Sequence, residues 1–114
     1  MKKLKYIYLL ISMSLIMCNS AIGAEVYGTY IKTISTYTQY GNGDVVVKVE
    51  AAYPSGCEGG FWLNKNDPGF GATMTTLLSA FHTNAKISIS GDQSQIWTGS
   101  GQNHCKIVWV TLAK

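Results

Sequence analysis

The first 24 residues limit how much of this chain can form a folded domain. Three lysines among the first five residues precede an apolar stretch, residues 6–17, and small side chains follow at 20–24. A basic, an apolar and a small-residue segment in this order are typical of a secretory signal peptide. We predict cleavage after Ala24, with Gly23 as the alternative site.

The apolar stretch is shorter than the roughly 20 residues that span a bilayer, and no stop-transfer charge cluster follows it. We therefore expect a secreted or periplasmic protein without stable membrane insertion. The alternative is an uncleaved N-terminal anchor helix.

The charge of the chain changes when the leader is set aside. Removing residues 1–24 from the 114 leaves 90, enough for one domain, with six lysines, six acidic residues and no arginine. The formal charge of +3 thus belongs to the leader. Nucleic-acid binding depends on Lys and Arg contacts to phosphate, so a neutral domain argues against nucleic acid as a partner.

Two cysteines remain in the expected mature chain. Export to an oxidising compartment favours a disulfide between Cys57 and Cys105, with an intermolecular bridge as the alternative. A metal site would have to combine these cysteines with His82 and His104, and no pair has the short spacing of a structural zinc site. We expect no metal and no cofactor.

The residue pattern predicts the element order β-β-β-α-β-β. Alternation and composition rich in Tyr, Thr, Ile and Val indicate the strands, and an Asn-Gly turn at 42–43 separates the first two. The predicted strands are residues 26–40, 45–51, 59–63, 86–90 and 105–112. The last is apolar on both faces, which is typical of a central or covered strand.

One amphipathic helix is predicted over residues 72–82. Its apolar residues follow the i, i+3, i+4, i+7 spacing of one helix face, at Met74, Leu77, Leu78 and Phe81. Asn84 is suited to a left-handed C-terminal cap. We also expect four aromatic residues in the core: Phe61, Trp62, Phe81 and Trp109.

Five strands with one short helix after the third match the OB-fold, a small, mainly β, partly open barrel that binds oligonucleotides or oligosaccharides. The alternative is another small α+β sheet with the helix on one face.

The chain resembles the receptor-binding B subunits of bacterial AB5 toxins, in the branch of subtilase cytotoxin and pertussis toxin. The likeness covers most of residues 26–112. It lies in the leader, domain size and strand order, and in the Tyr/Thr/Ile-rich residues 27–38, the helix positions Leu77, Leu78 and Phe81, and the Ile96-Trp97 loop. The resemblance implies an OB-fold homopentamer that binds cell-surface glycans, sialylated ones included, and a partner catalytic A subunit.

Five residues are candidates for glycan binding. The resemblance implies hydroxyl-bearing residues near the first strand, where Thr29, Tyr30 and Ser35 lie. Tyr37 and Trp97 are candidates because sugars present a flat apolar face that suits aromatic rings.

No catalytic motif such as Gly-x-Ser-x-Gly or His-Glu-x-x-His occurs in the chain. The sequence therefore favours a non-enzymatic, secreted glycan-binding module that acts as a homo-oligomer. The alternative is a periplasmic protein-interaction module, an inhibitor or stabilising partner of a secreted enzyme.

Overall fold

A computed structural model describes residues 23–114 of the chain. The predicted leader lies outside the described residues except for Gly23 and Ala24. The described part contains six strands, one α-helix and one 3-10 turn at Tyr40–Gly43. The strands are β1 (Ala24–Thr29), β2 (Ile31–Thr36), β3 (Val45–Val49), β4 (Gly60–Leu63), β5 (Ile87–Ile96) and β6 (His104–Leu112), and the helix is α1 (Phe70–Thr83).

The first predicted strand is divided into β1 and β2 at Tyr30. β1 pairs with β5 and β2 pairs with β3, both antiparallel. Gly28, with φ of 66°, lies where the register of β1 shifts, and this backbone conformation is open to glycine at little cost. The chain therefore bends between β1 and β2, and its two halves pair with two different strands.

The sheet has the order β1-β5-β6-β4-β3-β2, and its two outer strands are successive pieces of the chain. All neighbours pair antiparallel except β4 and β6, which are parallel. The chain passes from one outer strand to the other at Tyr30, and the sheet curls into a half-barrel. Counting the bent first strand once, the predicted fold is confirmed: a small, mainly β, five-stranded OB-fold-like barrel with one helix.

The interior of the barrel holds apolar side chains from the strands and from one face of α1. Phe61, Leu77 and Ile89 are fully buried. Cys57 and Cys105 are also fully buried, and they form the predicted intramolecular disulfide with a Cα–Cα distance of 5.3 Å. This bond joins the loop before β4 to β6 at the centre of the sheet.

The helix and its cap agree with the sequence pattern, with one correction. α1 lies against β6 and β2, and Asn84 takes the left-handed conformation at its end, with φ of 51°. Ala85 N–H then donates to the Ala80 carbonyl at 2.9 Å. Phe81, expected in the core, is 49% exposed. It lies at the edge of the buried face, whose centre is formed by Leu77 and Ala80.

The other three aromatic residues expected in the core differ in burial. Phe61 is fully buried, whereas Trp62 and Trp109 are half-buried on the outer side of the sheet. β6 is central, as predicted, because it lies between β5 and β4. Its outer face is open to solvent, however, and Val108 is 62% exposed.

Candidate functional site

Three loops meet at one end of the barrel around the side chain of Trp97. This residue follows β5 and is only 4% exposed, and its indole Nε1–H donates to Asp44 Oδ2 at 3.2 Å. Asp44, just before β3, is also buried, and its Oδ1 accepts the backbone N–H of Lys65 at 3.0 Å. One carboxylate thereby joins the loops β2–β3, β4–α1 and β5–β6.

Two glycines allow the backbone to approach the Trp97 ring closely. A Cβ atom at Gly41 would lie 2.3 Å from Trp97 Nε1, and one at Gly99 would lie 2.2 Å from Trp97 Cζ2. Both distances are far below van der Waals contact. Gly41, of the Gly41-Asn42-Gly43 segment, and Gly99, of the Gly99-Ser100-Gly101 segment, therefore have a packing role.

Two tyrosines extend this aromatic packing to the surface. The ring centroids of Tyr37 and Trp97 are 5.3 Å apart, and those of Tyr37 and Tyr40 are 6.5 Å apart. Tyr37 is 37% exposed and Tyr40 is 68% exposed. The same loops carry exposed side chains without charge. We call this area the Tyr37–Tyr40 surface; it consists of Tyr37, Tyr40, Asn42, Thr98 and Ser100.

His104, the first residue of β6, contacts the β5–β6 loop. Its ring meets Trp97 edge-to-face at 5.3 Å, and its Nδ1 lies 3.2 Å from the Gln102 carbonyl and 3.4 Å from Ser100 Oγ. Burial lowers the pKa of His104, and the positive charge of Lys48 lowers it further, while the Gln102 contact raises it. The neutral imidazole therefore donates from Nδ1 to the Gln102 carbonyl.

The structure brings together only part of the predicted glycan site. Tyr37 and Trp97 are neighbours, although Trp97 contributes a buried support rather than an exposed ring. Ser35 is half-buried in β2, opposite Val46. Thr29 and Tyr30 lie at the other end of β2.

The hydroxyl of Thr29 already has a structural partner. Thr29 is 3% exposed, and its Oγ1 accepts the backbone N–H of Ala51 at 3.1 Å. This bond fixes the bend where β1 becomes β2. A role for Thr29 in ligand binding would require it to exchange that partner.

The buried polar residues of the site carry no local sequence signal. Asp44 directly follows the Asn42-Gly43 turn, and His104 directly precedes Cys105; neither position indicates burial. The paired Gly-x-Gly segments are the signal that could have shown where two loops pack on one large ring.

A second surface lies on the outer face of β1, β5 and β6. It is a groove of about 680 Å³, a volume within the range of small-molecule sites. We call it the β1–β5 groove; its walls include Glu25, Ser90, Asp92, Ser94 and Trp109.

Within residues 23–114, no three His, Cys, Asp or Glu side chains are grouped so that they could hold a metal ion. In the same part of the chain, α1 is too short and too polar to cross a bilayer. No protein-family model, curated protein or solved structure matches this chain.

Proposed function

We propose that this protein is a secreted, non-enzymatic module that binds cell-surface glycans as a homo-oligomer. Its contact area is the Tyr37–Tyr40 surface. The observation that carries the proposal is a pair of exposed tyrosines that a buried tryptophan supports, in loops that also carry exposed, uncharged hydrogen-bonding side chains.

The chemistry of this surface suits a sugar. A pyranose has a flat apolar face that stacks on an aromatic ring, and hydroxyl groups at its edge that exchange hydrogen bonds with amides and hydroxyls. Tyr40 provides an exposed ring, and Asn42, Thr98 and Ser100 provide exposed polar groups. The carboxylate that contacts Trp97, that of Asp44, is buried and engaged by two N–H donors.

The position of this surface in the barrel supports the same proposal. OB-folds bind oligosaccharides and oligonucleotides with loops L12 and L45, which join the first strand to the second and the fourth to the fifth. Here those loops are β2–β3 and β5–β6, which carry the Tyr37–Tyr40 surface. The neutral mature chain favours the carbohydrate over the nucleic acid.

The outer face of α1 supports the homo-oligomer. None of its 14 residues is Asp, Glu, Lys or Arg, and Leu78 and Phe81 are each 49% exposed. A surface without formal charge can face a copy of itself without like-charge repulsion, and two half-exposed large apolar residues gain free energy when they are covered. We propose that α1 lines the contact between subunits.

The test is a glycan array followed by titration calorimetry with residues 25–114. Tyr40→Ala should weaken binding of the best glycan by about tenfold or more, because it removes a stacking ring. Tyr40→Phe is the matched control, since it keeps the ring and should retain most of the affinity. An array without a bound glycan, or equal affinities for Tyr40→Ala and the unmodified protein, would overturn the proposal.

Experiments on the same preparation distinguish the two hypotheses for the partner, a cell-surface glycan and a periplasmic protein. Native mass spectrometry of a glycan-binding homo-oligomer gives a multiple of the subunit mass. A monomer that forms a 1:1 complex with a periplasmic protein and binds no sugar would support the interaction module instead. A secreted enzyme encoded beside this chain would identify the catalytic partner that the resemblance implies.

A further inference from the structure

The register of three strands creates the β1–β5 groove. Glu25 of β1 lies opposite Ser90 of β5, and Ser90 lies opposite Trp109 of β6. Their neighbours Val26 and Ile89 are buried, so Glu25, Ser90 and Trp109 form one row on the outer face. The small serine between two long side chains leaves a depression with Ser90 at its floor.

The end of the groove is formed by a fixed carboxylate. Beyond Ser90 the pairing of β5 with β6 becomes irregular, and Asp92 folds back on the residues that follow it. Asp92 Oδ1 accepts from Ser94 N–H at 2.9 Å and from Ser94 Oγ–H at 2.6 Å, and Oδ2 accepts from Gln95 Nε2 at 2.8 Å. These donors lower the pKa of Asp92 and keep it ionised and oriented.

The Ser90 side chain lies at the floor of the groove. Ser90 is only 3% exposed, so a ligand must enter the groove to reach its hydroxyl. A serine hydroxyl can both donate and accept hydrogen bonds, so it can pair with a ligand hydroxyl of either orientation.

We infer that the β1–β5 groove is a second saccharide site, for an uncharged pyranose unit. Trp109 offers a ring for the apolar face of the sugar. Ser90, Asp92 and Glu25 offer one hydroxyl and two carboxylate groups for its hydroxyls. Carboxylates that accept from sugar hydroxyls bind them strongly, because charged acceptors make the stronger hydrogen bonds.

The charge of the groove selects against acidic sugars. None of the described residues that line it is Lys, Arg or His. Lys106, opposite Asp92 in β6, lowers the pKa of Asp92 by its charge, but it is itself paired with Asp67 at 3.1 Å and with Gln95 at 3.3 Å. A sugar carboxylate would therefore meet two carboxylates, Glu25 and Asp92, against one lysine that Asp67 already pairs.

This site adds to the proposed function but does not depend on the Tyr37–Tyr40 surface. The groove contains Trp109 and the Tyr37–Tyr40 surface is supported by Trp97, so an experiment can reject either proposal without rejecting the other. Ser90, Asp92 and Trp109 belong to β5 and β6, so the floor and two walls persist wherever the leader is cut.

The test uses the three tryptophans of the chain as separate reporters. Nitrogen-15 NMR spectra of residues 25–114 are recorded while methyl β-glucoside or methyl β-galactoside is added, and then with the corresponding methyl uronides. The neutral glycosides should shift the indole N–H signal of Trp109 and the amide signals of Ser90 and Ser94. The uronides should bind at least about fivefold more weakly.

Two variants assign the effect to the groove. Trp109→Leu and Asp92→Asn should each weaken the binding of the neutral glycoside by about fivefold or more, while Glu50→Gln, at an exposed position outside the groove, should leave it unchanged. If Asp92→Asn disturbs the fold, Glu25→Gln provides the same charge change from β1.

Three results would overturn the inference: no shift of Trp109 with either neutral glycoside, equal binding of the uronides, or unchanged affinity in Trp109→Leu. A shift of Trp97 alone would support the proposed function and reject the groove. A shift of Trp109 alone would support the groove and remove support from the Tyr37–Tyr40 surface.

Discussion

Trp97 Nε1 donates a hydrogen bond to Asp44 Oδ2 at 3.2 Å, across 53 residues of sequence. Both side chains are 4% exposed, and the second oxygen of Asp44 holds the backbone of Lys65. The conformation of the loop end of the barrel therefore depends on one buried carboxylate.

Replacing Asp44 by alanine should destabilise the protein. The substitution leaves the Trp97 indole N–H and the Lys65 backbone N–H without their acceptor, and hydrogen bonds to a charged group contribute about 1.5–3 kcal/mol each. We expect the free energy of unfolding, measured in urea, to fall by at least about 2 kcal/mol. Glu50→Ala, at an exposed position, should change it by less than about 0.5 kcal/mol. Equal effects of the two variants would contradict the role of Asp44.

Two glycines of one loop should respond differently to alanine. A Cβ at Gly99 would overlap Trp97, whereas a Cβ at Gly101 has no heavy atom within 4 Å. Gly99→Ala should lower the free energy of unfolding by about 1–3 kcal/mol, as overpacking does, and should change the fluorescence of Trp97. Gly101→Ala should be close to neutral. A neutral Gly99→Ala would show that the loop moves away from the ring at no cost.

The disulfide should contribute a large part of the stability. Cys57 and Cys105 are separated by 48 positions, and closing a loop of that length is worth about 4 kcal/mol in the chain-entropy model. We expect the double variant Cys57→Ser, Cys105→Ser to lose about that much in urea unfolding. The oxidised protein should run as a single subunit on non-reducing gels. A dimer band that disappears on reduction would indicate an intermolecular bond instead.

A positive charge on the outer face of α1 should oppose assembly more than folding. Leu78→Lys and Thr76→Lys place like charges where we propose that subunits meet, and the helix itself tolerates lysine. Light scattering should show a smaller assembly for both variants, with the circular dichroism of the folded protein retained. Thr33→Lys, at an exposed position of β2, is the control and should keep the assembly. Unchanged mass in all three variants would reject α1 as the subunit contact.

The sequence predicted the helix, its cap and the order of the elements because those depend on local pattern. The bend at Tyr30 could not be predicted in this way. Residues 26–40 have the same strand-forming composition throughout, and the bend follows from pairing with two different strands, β5 and β3. Similarly, the helical spacing located the buried face of α1 but not its edge, where Phe81 lies.

The candidate site was predictable only as far as its aromatic composition. Tyr37 and Trp97 could be proposed because aromatic rings in polar loops suit sugars. That Trp97 is buried, and that Asp44 and His104 hold it, depends on the meeting of loops distant in sequence. The same holds for the β1–β5 groove, which exists because the register aligns Glu25 with Ser90 and Ser90 with Trp109.

Stability should decrease in mild acid because of His104. Burial lowers the pKa of this residue in the folded protein, so the unfolded chain takes up its proton first as the pH falls. The neutral His104 ring therefore contributes fully to the free energy of unfolding above the ordinary histidine pKa of about 6.5. Below that pH this contribution is lost progressively. Among the charged groups near the ring, Lys48 of β3 disfavours the protonated form, and Asp44 lies beyond Trp97, engaged by its two donors.

The measurement is the urea midpoint, followed by tryptophan fluorescence, between about pH 5 and 7, the range in which histidine titrates. The carboxyl groups of Glu58 and Asp92 have lowered pKa values, so the stability they contribute is lost only at more acidic pH. His104→Gln should remove most of the slope, whereas His82→Gln, at the exposed end of α1, should retain it. If the pH dependence of the urea midpoint persists in His104→Gln and disappears in His82→Gln, the acid sensitivity comes from the end of α1 and not from His104.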